Sequence, residues 1–274
     1  MTHPSATSPP KSRSGRSAME VALNAAHLAG RIIRDRFQTS KQVSYKGRAD
    51  IVTDVDLAAE RAILEMLTEE YPEFGILAEE SKPTESPSPY TWVVDPLDGT
   101  RNYANGIPHF CTVVALVHEG EPVLGVTYDP IREELFSAEL GRGAFLNRVP
   151  LAVSGVQELS QALLGCDLGY VDEKAGLAID LVRALWPGIV SVRLMGSAAL
   201  GMAYAAAGRV DLYFHHSLSP WDIAAGLLLV REAGGTVVDR QGQRAGLRSP
   251  SVIASSHQLV ARFLQATEGL PWRG

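Results

Sequence analysis

Residues 92–94 (WVV) form an apolar run without polar alternation, and two aspartates, Asp95 and Asp98, follow it directly. A run of this kind is typical of a strand that is buried on both faces. The run therefore places the two carboxylates at a sheet edge inside the fold. Asp, Pro and Gly are also common turn formers, so the stretch by itself fits a strand-ending turn as well as a cluster of oxygen ligands.

The negative charge of these carboxylates has to be neutralised, because an unpaired buried carboxylate is strongly destabilising. Lys82 and Arg101 are the only lysine or arginine residues between positions 62 and 131. A divalent metal is the simplest alternative, since Mg2+ prefers oxygen ligands and keeps waters or phosphate oxygens in its shell. A pair of such ions could activate a water and stabilise the leaving oxygen of a phosphoryl transfer.

The overall composition restricts the classes of function. The 274 residues are 46% apolar and 20% charged, as in globular proteins, and suffice for a sizeable core. The net charge of -6 argues against a nucleic-acid groove and leaves a small anionic substrate open. Cys111 and Cys166 lie singly in apolar runs, so we expect free buried thiols and a cytoplasmic location. No apolar run approaches the ~20 residues of a membrane span, so no membrane partner is expected.

The N-terminal segment differs in composition from the rest of the chain. Residues 1–16 are rich in Ser, Pro and basic side chains and lack the apolar core of a secretory signal, so we predict a disordered tail. A transit peptide is the weaker alternative, because the prolines disfavour an amphipathic helix. Residues 17–274 are predicted to form a single domain with sub-layers at roughly 17–155 and 156–270.

Capping signals and periodicity predict the regular elements. Ser17 begins a capping box ahead of a helix that runs to about Phe37, and Thr53 caps a second helix that stops before Pro72. Closely spaced strands, indicating an antiparallel or mixed sheet, are predicted at residues 74–78, 90–94, 110–118, 123–128, 133–140 and 143–147. Beyond residue 155, strands alternate with helices in an α/β texture. The fold class is therefore α+β or mixed α/β.

Two further aspartates stand in the first turns of predicted helices. Asp56 follows the Thr53 cap, and Asp222 lies at the third helical position after a cap at Ser219 and a proline at Pro220. Taken singly, each aspartate fits a helix-capping role, which would stabilise the fold by about 0.5 kcal/mol per residue.

Glu79 and Glu80 follow the short strand at residues 74–78 and, taken singly, fit solvated side chains. The joint pattern favours a metal site, because carboxylates recur at the edges of four separate elements. Gly99 lets the backbone approach an anion closely, and the amides after it could cradle phosphate at a helix start. The Thr100 hydroxyl could orient an attacking water, and a nearby carboxylate could take the water's proton.

Other chemistries fit less well. Haloacid dehalogenase-type phosphatases carry D-x-D-G-T after a strand, whereas the spacing here is D-x-x-D-G-T, which puts a nucleophilic Asp95 one residue out of register. P-loop, G-x-S-x-G and HExxH motifs are missing from the sequence. The adjacent His215 and His216 could be imidazole ligands, but neighbours on a strand point to opposite faces and do not both readily reach one ion. Core or surface placement of one or both is the alternative.

The motifs resemble those of the Mg2+-dependent, lithium-sensitive phosphatases typified by inositol monophosphatase. The first signature of that family is similar to residues 92–110 (WVVDPLDGTRNYANGIPHF), and the second is similar to residues 221–235 (WDIAAGLLLVREAGG). Residues 49–56 (ADIVTDVD) and 76–81 (ILAEES) match two further pieces in the family's order and spacing. The resemblance implies a layered αβαβα sandwich of the inositol monophosphatase and fructose-1,6-bisphosphatase type, usually a homodimer.

The resemblance also implies roles for individual residues. It implies that roughly two to three Mg2+ ions are ligated by a set of oxygen donors: Glu79, Asp95, the Leu97 carbonyl, Asp98, Asp222 and, for a further metal, Asp56. Glu79, Thr100 and Asp56 correspond to the residues that generate the nucleophilic water, and the amides of Gly99 and Thr100 to those that hold phosphate. Residues 195–200 (MGSAAL) match the substrate-side segment, with Gly196, Ser197 and Ala198 as contacts.

Two departures bear on the substrate. Ala78 replaces the glycine before the Glu pair, which is a mild change. His215 stands where the animal inositol enzymes have a glutamate that holds inositol hydroxyls. The expected reaction is hydrolysis of a small phosphorylated metabolite such as inositol monophosphate. Fructose-1,6-bisphosphate, histidinol phosphate and 3'-phosphoadenosine 5'-phosphate remain open as alternatives, and a non-catalytic scaffold is a minor one.

Overall fold

The computed structural model describes residues 9–47 and 50–274. Its α-helices are α1 (Ala18–Arg36), α2 (Asp54–Glu70), α3 (Thr100–Ala104), α4 (Asp172–Leu185), α5 (Ala198–Ala206), α6 (Pro220–Glu232) and α7 (His257–Ala266). Its strands are β1 (Val43–Tyr45), β2 (Ile51–Thr53), β3 (Gly75–Ala78), β4 (Tyr90–Asp98), β5 (Cys111–His118), β6 (Glu121–Asp129), β7 (Glu134–Glu139), β8 (Gly143–Leu146), β9 (Val149–Pro150), β10 (Leu163–Cys166), β11 (Ser191–Leu194), β12 (Leu212–His215), β13 (Thr236–Val238) and β14 (Val252–Ser255).

The predicted helix starts are confirmed. Ser17 caps α1 with a complete capping box, and Thr53 caps α2 in the same way. Ser219 is the N-cap of α6, with Pro220 in the first helical position and Asp222 bonding back to the cap. A proline without an N–H is well suited to that first position, because its amide would have no intrahelical acceptor.

The strands form two large sheets. The first sheet has the order β3-β4-β5-β6-β7-β8-β9, with β3 and β4 parallel and the later neighbours antiparallel. The second sheet has the order β11-β10-β12-β14-β13, in which β11, β10 and β12 are parallel and β14 pairs antiparallel with both β12 and β13. The mixed sheet and the α/β alternation predicted from the sequence are both present.

Helices and sheets alternate in five layers. Helices α1 and α2 cover one face of the first sheet, and α5 and α6 fill the space between the two sheets. Helices α4 and α7 cover the outer face of the second sheet. The fold is thus the layered αβαβα sandwich that the resemblance implies. None of the helices of the described residues is long and apolar enough to cross a membrane.

Small residues let the middle helices approach the sheets closely. A Cβ on Gly125 of β6 would lie 2.7 Å from the Cα of Ala225 in α6, and one on Gly201 of α5 would lie 2.2 Å from the Tyr213 ring of β12. Both distances are below van der Waals contact. The helices α5 and α6 are therefore held at fixed positions between the sheets. This fixes the positions of Ser197 and Asp222 at their N-termini.

The N-terminal segment differs in part from the predicted disordered tail. The Arg13 amide donates to the Glu70 carbonyl at 3.0 Å, and the Ser14 hydroxyl donates to the Glu70 carboxylate at 2.6 Å. The Tyr71 hydroxyl also donates to the Pro10 carbonyl at 3.1 Å. Composition does not reveal these contacts, because the partners lie more than fifty residues away at the end of α2. Residues 1–8 of the predicted tail lie outside the described residues.

A hairpin that periodicity does not predict precedes α2. Strands β1 and β2 pair antiparallel, with Val43 opposite Thr53 and Tyr45 opposite Ile51. All three residues of β1 are exposed, so the strand carries no buried-face alternation. Lys46 follows β1 directly, and the first residue of the 49–56 motif, Ala49, lies outside the described residues.

Candidate active site

A β-bulge turns the two aspartates of β4 toward the same side. Asp95 lies opposite Val113 of β5 and Asp98 lies opposite Cys111, so three steps along β4 match two along β5. In a regular strand, residues three apart project from opposite faces, and the extra residue of a bulge reverses that relation. The Leu97 amide donates to Asp95 Oδ1 at 3.0 Å, which stabilises the bend.

Asp222 completes a carboxylate cluster with these two residues. One oxygen from each of Asp95, Asp98 and Asp222 lies within 4.8 Å of the others. Asp222 Oδ2 accepts the Ser219 amide at 2.7 Å, as a helix cap does. The capping and ligand interpretations of Asp222 are therefore compatible, because capping uses one of its two oxygens.

Glu79 lies beside this cluster because β3 and β4 are parallel neighbours and end at the same sheet edge. Its carboxylate lies close enough to Asp95 that its charge helps to raise the pKa of Asp95, after burial. Lys46 from the β1–β2 hairpin also contacts it, with Nζ 3.0 Å from Glu79 and 2.6 Å from Glu80. Sequence reasoning missed Lys46, since the cation was sought between positions 62 and 131 and this one comes from an exposed hairpin.

Asp56 and Thr100 form a buried pair on the α2 side of the bulge. The Thr53 amide donates to Asp56 Oδ2 at 3.0 Å, which is the helix cap. Thr100 Oγ1 lies 2.9 Å from Asp56 Oδ1 and also 2.9 Å from the Leu97 carbonyl oxygen. Its single proton can be donated to one of them at a time, and its lone pairs can accept from another group. Asp56 therefore combines a capping oxygen with one that faces Thr100.

Gly99 adopts a backbone conformation that suits glycine. Its φ is +92°, and a Cβ at this position would lie 3.0 Å from the His109 carbonyl oxygen. A side chain here would be strained both by the left-handed conformation and by the close approach. Gly99 is also the N-cap residue of α3, so the structure has the predicted helix start after Asp98.

Asp98 connects the first sheet to the N-terminus of α5. The Ala199 amide donates to Asp98 Oδ2 at 2.9 Å, the Ala198 amide approaches Oδ1 at 3.3 Å, and the Ser197 hydroxyl donates to Oδ2. Ser197 is also the N-cap of α5. Ser197 and Ala198, expected as substrate contacts, therefore hold a candidate metal ligand in this structure.

A cavity of about 340 Å³ opens in front of the cluster. It lies between the first sheet and the carboxyl end of β10, and the predicted substrate segment at residues 195–200 borders it. Its lining includes Asp98, Gly99, Gly196, Ser197, Ala198, His215 and Asp222. The volume lies at the lower end of the range for small-molecule sites.

The two adjacent histidines occupy different surroundings. The Ser217 amide donates to His215 Nδ1 at 3.0 Å, so the neutral ring carries its proton on Nε2. Burial, followed by the neighbouring His216, lowers the pKa of His215 to about 3, which keeps the ring neutral. His216 accepts the Trp272 indole N–H at 3.1 Å in the core. His215 thus borders the cavity, while His216 packs against the C-terminal segment.

The carboxylates of the cluster lie close enough to repel one another. Burial raises the pKa of Asp95 well above its usual value, and the Glu79, Asp98 and Asp222 carboxylates raise it further. Burial followed by Asp98 likewise raises the pKa of Asp222. Burial also raises the pKa of Asp98, which the bonds from Ser197 and the α5 amides oppose. A set of clustered, oxygen-only donors with mutual repulsion fits a hard divalent cation such as Mg2+.

The fold and this site define the class of protein, and the chain belongs to the inositol monophosphatase family, whose sequence profile matches residues 16–270. The inositol-1-monophosphatase of Mesorhizobium japonicum is 41% identical over 258 residues, covering 92% of this chain and 97% of that protein. The Nus factor SuhB of Pasteurella multocida is 39% identical over 250 residues, covering 90% of this chain and 94% of that protein.

A solved structure agrees with the family assignment. The extragenic suppressor protein suhB from Bartonella henselae superimposes with a TM-score of 0.88 and 38% identity, covering 92% of this chain and 98% of that chain. The family and fold inferred from the motifs are confirmed. The exclusion of a nucleic-acid partner rested on net charge and stays a prediction, which the similarity to a Nus factor does not support.

Replacing Asp95 by Asn is expected to stabilise the metal-free protein. The pKa of Asp95 is higher in the folded protein than the usual value, so the folded state holds a proton that the unfolded chain releases. Stability therefore falls as the pH rises from about 4 through the folded pKa. Asn keeps the acceptor for the Leu97 amide and removes the charge. We expect Asp95→Asn to raise Tm at neutral pH by about 2–4 °C, as ~1 kcal/mol does in a domain of this size.

The measurement is thermal unfolding of EDTA-treated protein at about pH 5 and about pH 8, where the gain is expected mainly at the higher pH. Asp35→Asn is the control, because Asp35 lies outside the cluster and its side chain is 72% exposed. Addition of Mg2+ is expected to raise the Tm of the wild-type protein more than that of Asp95→Asn. A lower Tm of metal-free Asp95→Asn at both pH values would contradict this account of the cluster.

Proposed function

We propose that the protein is a Mg2+-dependent phosphomonoesterase that hydrolyses a small phosphorylated metabolite by direct attack of water. The observation that carries the proposal is the convergence of Asp95, Asp98 and Asp222 in one partly buried cluster, with the Glu79 carboxylate beside Asp95. When bound there, Mg2+ supplies a lowered pKa for water and neutralises charge on the phosphate and the leaving oxygen. The residues that would hold it are Glu79, Asp95, the Leu97 carbonyl, Asp98, Asp222 and, for a further ion, Asp56.

Thr100 is proposed to orient the attacking water. Its hydroxyl donates toward Asp56 or the Leu97 carbonyl, each 2.9 Å away, which leaves its oxygen lone pairs to accept a hydrogen bond from the water. Glu79 lies at the same sheet edge and is proposed to take the proton, since burial raises its pKa and thereby makes it a stronger base. The amides of Gly99 and Thr100 are proposed to hold the phosphate oxygens at the start of α3.

The bulge argues against a covalent aspartyl-phosphate mechanism. In the haloacid dehalogenase pattern the nucleophile lies three positions before the Gly of D-G-T, and here that residue is Pro96, whose side chain cannot attack phosphorus. Asp95 is one residue out of that register. Direct hydrolysis without a phosphoenzyme is therefore the proposed course.

An assay of sugar, inositol and nucleotide phosphates with Mg2+ tests the proposal. We expect phosphate release to be abolished by EDTA and restored by Mg2+. We expect Thr100→Val to lower kcat by about 10²-fold, the usual effect of losing a group that positions a proton transfer. Thr127→Val is the matched control: the Thr127 hydroxyl is buried in β6 without a hydrogen-bond partner in the described part of the chain, so its loss is expected to leave kcat unchanged.

A binding role is the second candidate, favoured by the similarity to the Nus factor SuhB of P. multocida. Such a role would not require the carboxylate cluster. Turnover undiminished by EDTA would exclude the metal-dependent mechanism, and full biological function of Asp95→Asn in cells would favour the binding role over catalysis.

The substrate is proposed to be inositol monophosphate or another small phosphate ester, with fructose-1,6-bisphosphate, histidinol phosphate and 3'-phosphoadenosine 5'-phosphate as alternatives. His215 bears on this choice, because its neutral ring offers a single N–H donor on Nε2 at the cavity. A carboxylate in the same place would accept hydrogen bonds from two neighbouring hydroxyls. The His215 N–H instead donates one hydrogen bond to any acceptor, so we expect it to select a polyol less strongly than a carboxylate would.

Replacing His215 by Glu is expected to shift the preference toward inositol monophosphate. We expect the ratio of kcat/KM for inositol monophosphate to that for the best non-polyol substrate to rise by about tenfold, the effect of about one hydrogen bond to a charged group. His257→Glu, which changes the charge equally at an exposed site on α7, is the control. An unchanged ratio in His215→Glu would remove His215 from the substrate site.

A homodimer in the cytoplasm is part of the same proposal, and so is inhibition by lithium. Support for the dimer comes from exposed apolar side chains in α4 and in the segment between α4 and the edge strand β11, namely Ile179, Trp186 and Val190, which are 52%, 58% and 55% exposed. Exposed apolar residues that form a patch are typical of interaction surfaces. The buried free thiols of Cys111 and Cys166 are compatible with a reducing compartment.

The dimer is tested by light scattering. We expect the wild-type protein to have twice the chain mass of 29.5 kDa. Trp186→Glu is expected to give the monomer mass, because a charge would be buried in the interface. Leu57→Glu, at a 52% exposed apolar position on α2, is the matched control and is expected to remain dimeric. A wild-type monomer at micromolar concentration would contradict the proposal.

A further inference from the structure

A two-residue turn, Met195–Gly196, connects β11 to the N-terminus of α5. Two side chains form hydrogen bonds to its backbone, one to the amides and one to the carbonyls. One is Asp167, which directly follows β10 in the second sheet, and the other is Asn102 in α3, which follows β4 of the first sheet. The turn immediately precedes Ser197, whose hydroxyl, together with the next amides, binds Asp98.

Asp167 binds the amide side of the turn. Its Oδ1 accepts the Met195 amide at 2.9 Å and the Gly196 amide at 2.6 Å. Its Oδ2 accepts the Tyr213 hydroxyl at 2.9 Å. The carboxylate is buried, so each of these bonds replaces one that water would otherwise make.

Asn102 binds the carbonyl side of the same turn. Its Nδ2 lies 2.7 Å from the Met195 carbonyl oxygen and 3.3 Å from that of Gly196, and it also lies 2.8 Å from the His109 carbonyl. Gly196 has a φ of +78°, and a Cβ there would lie 3.1 Å from Asn102 Nδ2. The glycine therefore lets the turn adopt a left-handed conformation and approach Asn102 closely.

The Asp167 carboxylate also reaches α5 through Tyr213. The Tyr213 ring packs directly on Gly201 in α5, where the glycine has no side chain to hold it away. One carboxylate therefore sets both the turn before α5 and the tyrosine that supports the first half of the helix. Displacing either would move the Ser197 hydroxyl and the Ala198 and Ala199 amides relative to Asp98.

We propose that Asp167 is a positioning residue, which orients the N-terminus of α5 on Asp98 and thereby keeps the Asp98 carboxylate in place for metal binding. The inference rests on the proposed function, because it assigns Asp167 a role in that same site. Groups that orient metal ligands typically change metal affinity by about 10–100-fold when they are removed.

The test is the Mg2+ dissociation constant of EDTA-stripped protein, measured by calorimetry without substrate. We expect Asp167→Ala to weaken Mg2+ binding by about tenfold or more. We expect Asp167→Asn to remain within about threefold of the wild type, because its Oδ1 still accepts both turn amides and its Nδ2 can donate to the Tyr213 oxygen. With substrate, raising Mg2+ is expected to restore the kcat of Asp167→Ala.

Asp211→Ala is the matched control. Asp211 also accepts a backbone amide in the second sheet, that of Leu163 at 2.6 Å, together with the Ser154 hydroxyl, but it does not line the cavity. We expect it to lower Tm while leaving the Mg2+ dissociation constant unchanged. An Mg2+ affinity of Asp167→Ala equal to that of Asp211→Ala would overturn the proposal, and so would an Asp167→Asn variant as weak as Asp167→Ala.

Asn102→Ala keeps the proposal testable if Asp167→Ala does not fold. It releases the same turn from the other side, so Mg2+ binding is expected to weaken in the same direction, and unchanged binding would overturn the inference. Failure of the proposed function would be seen separately. The wild-type protein would then bind Mg2+ but release no phosphate, whereas failure of this inference appears in the binding constants of the variants.

Discussion

The contact between Asp98 and the N-terminus of α5 connects the two halves of the sandwich. Asp98 belongs to the first sheet, and the Ser197 hydroxyl and Ala199 amide that bind it belong to a helix packed under the second sheet. A helix N-terminus stabilises a carboxylate because its first amides have no intrahelical acceptors. The same carboxylate lies within 4.8 Å of Asp95 and Asp222, so the relative placement of the two sheets sets the geometry of the metal cluster.

Several carboxylates serve the fold and the candidate site at once. Asp56 and Asp222 each use one oxygen to cap a helix, and the other Asp56 oxygen faces Thr100. Capping fixes the rotamer of each side chain, which is the preorganisation that a metal site needs. Burial, together with repulsion from neighbouring carboxylates, raises the pKa of Asp95 and Asp222, and this is the cost of the arrangement in the metal-free protein. The carboxylates that would bind the metal therefore lower the stability of the metal-free fold.

Local patterns in the sequence predict most of the fold. Capping boxes place the starts of α1, α2 and α6, and the apolar run at residues 92–94 is fully buried in β4. These elements follow from interactions within a few residues, which is why local patterns reveal them. The β1–β2 hairpin and the contacts of residues 10–14 with the end of α2 were not predicted, because their partners are distant in the chain and their own residues carry no periodic pattern.

The sequence by itself determined the family, the strand that carries Asp95 and Asp98, and the residue types that converge near them. Only the tertiary structure decided three features of the site. The bulge turns two aspartates to one side, and Lys46 reaches Glu79 from an exposed hairpin. Asp167 and Asn102 form hydrogen bonds to the turn before α5. Each depends on contacts between segments far apart in the chain. The order of residues specifies which groups are available, and the packing of the layers determines which of them meet.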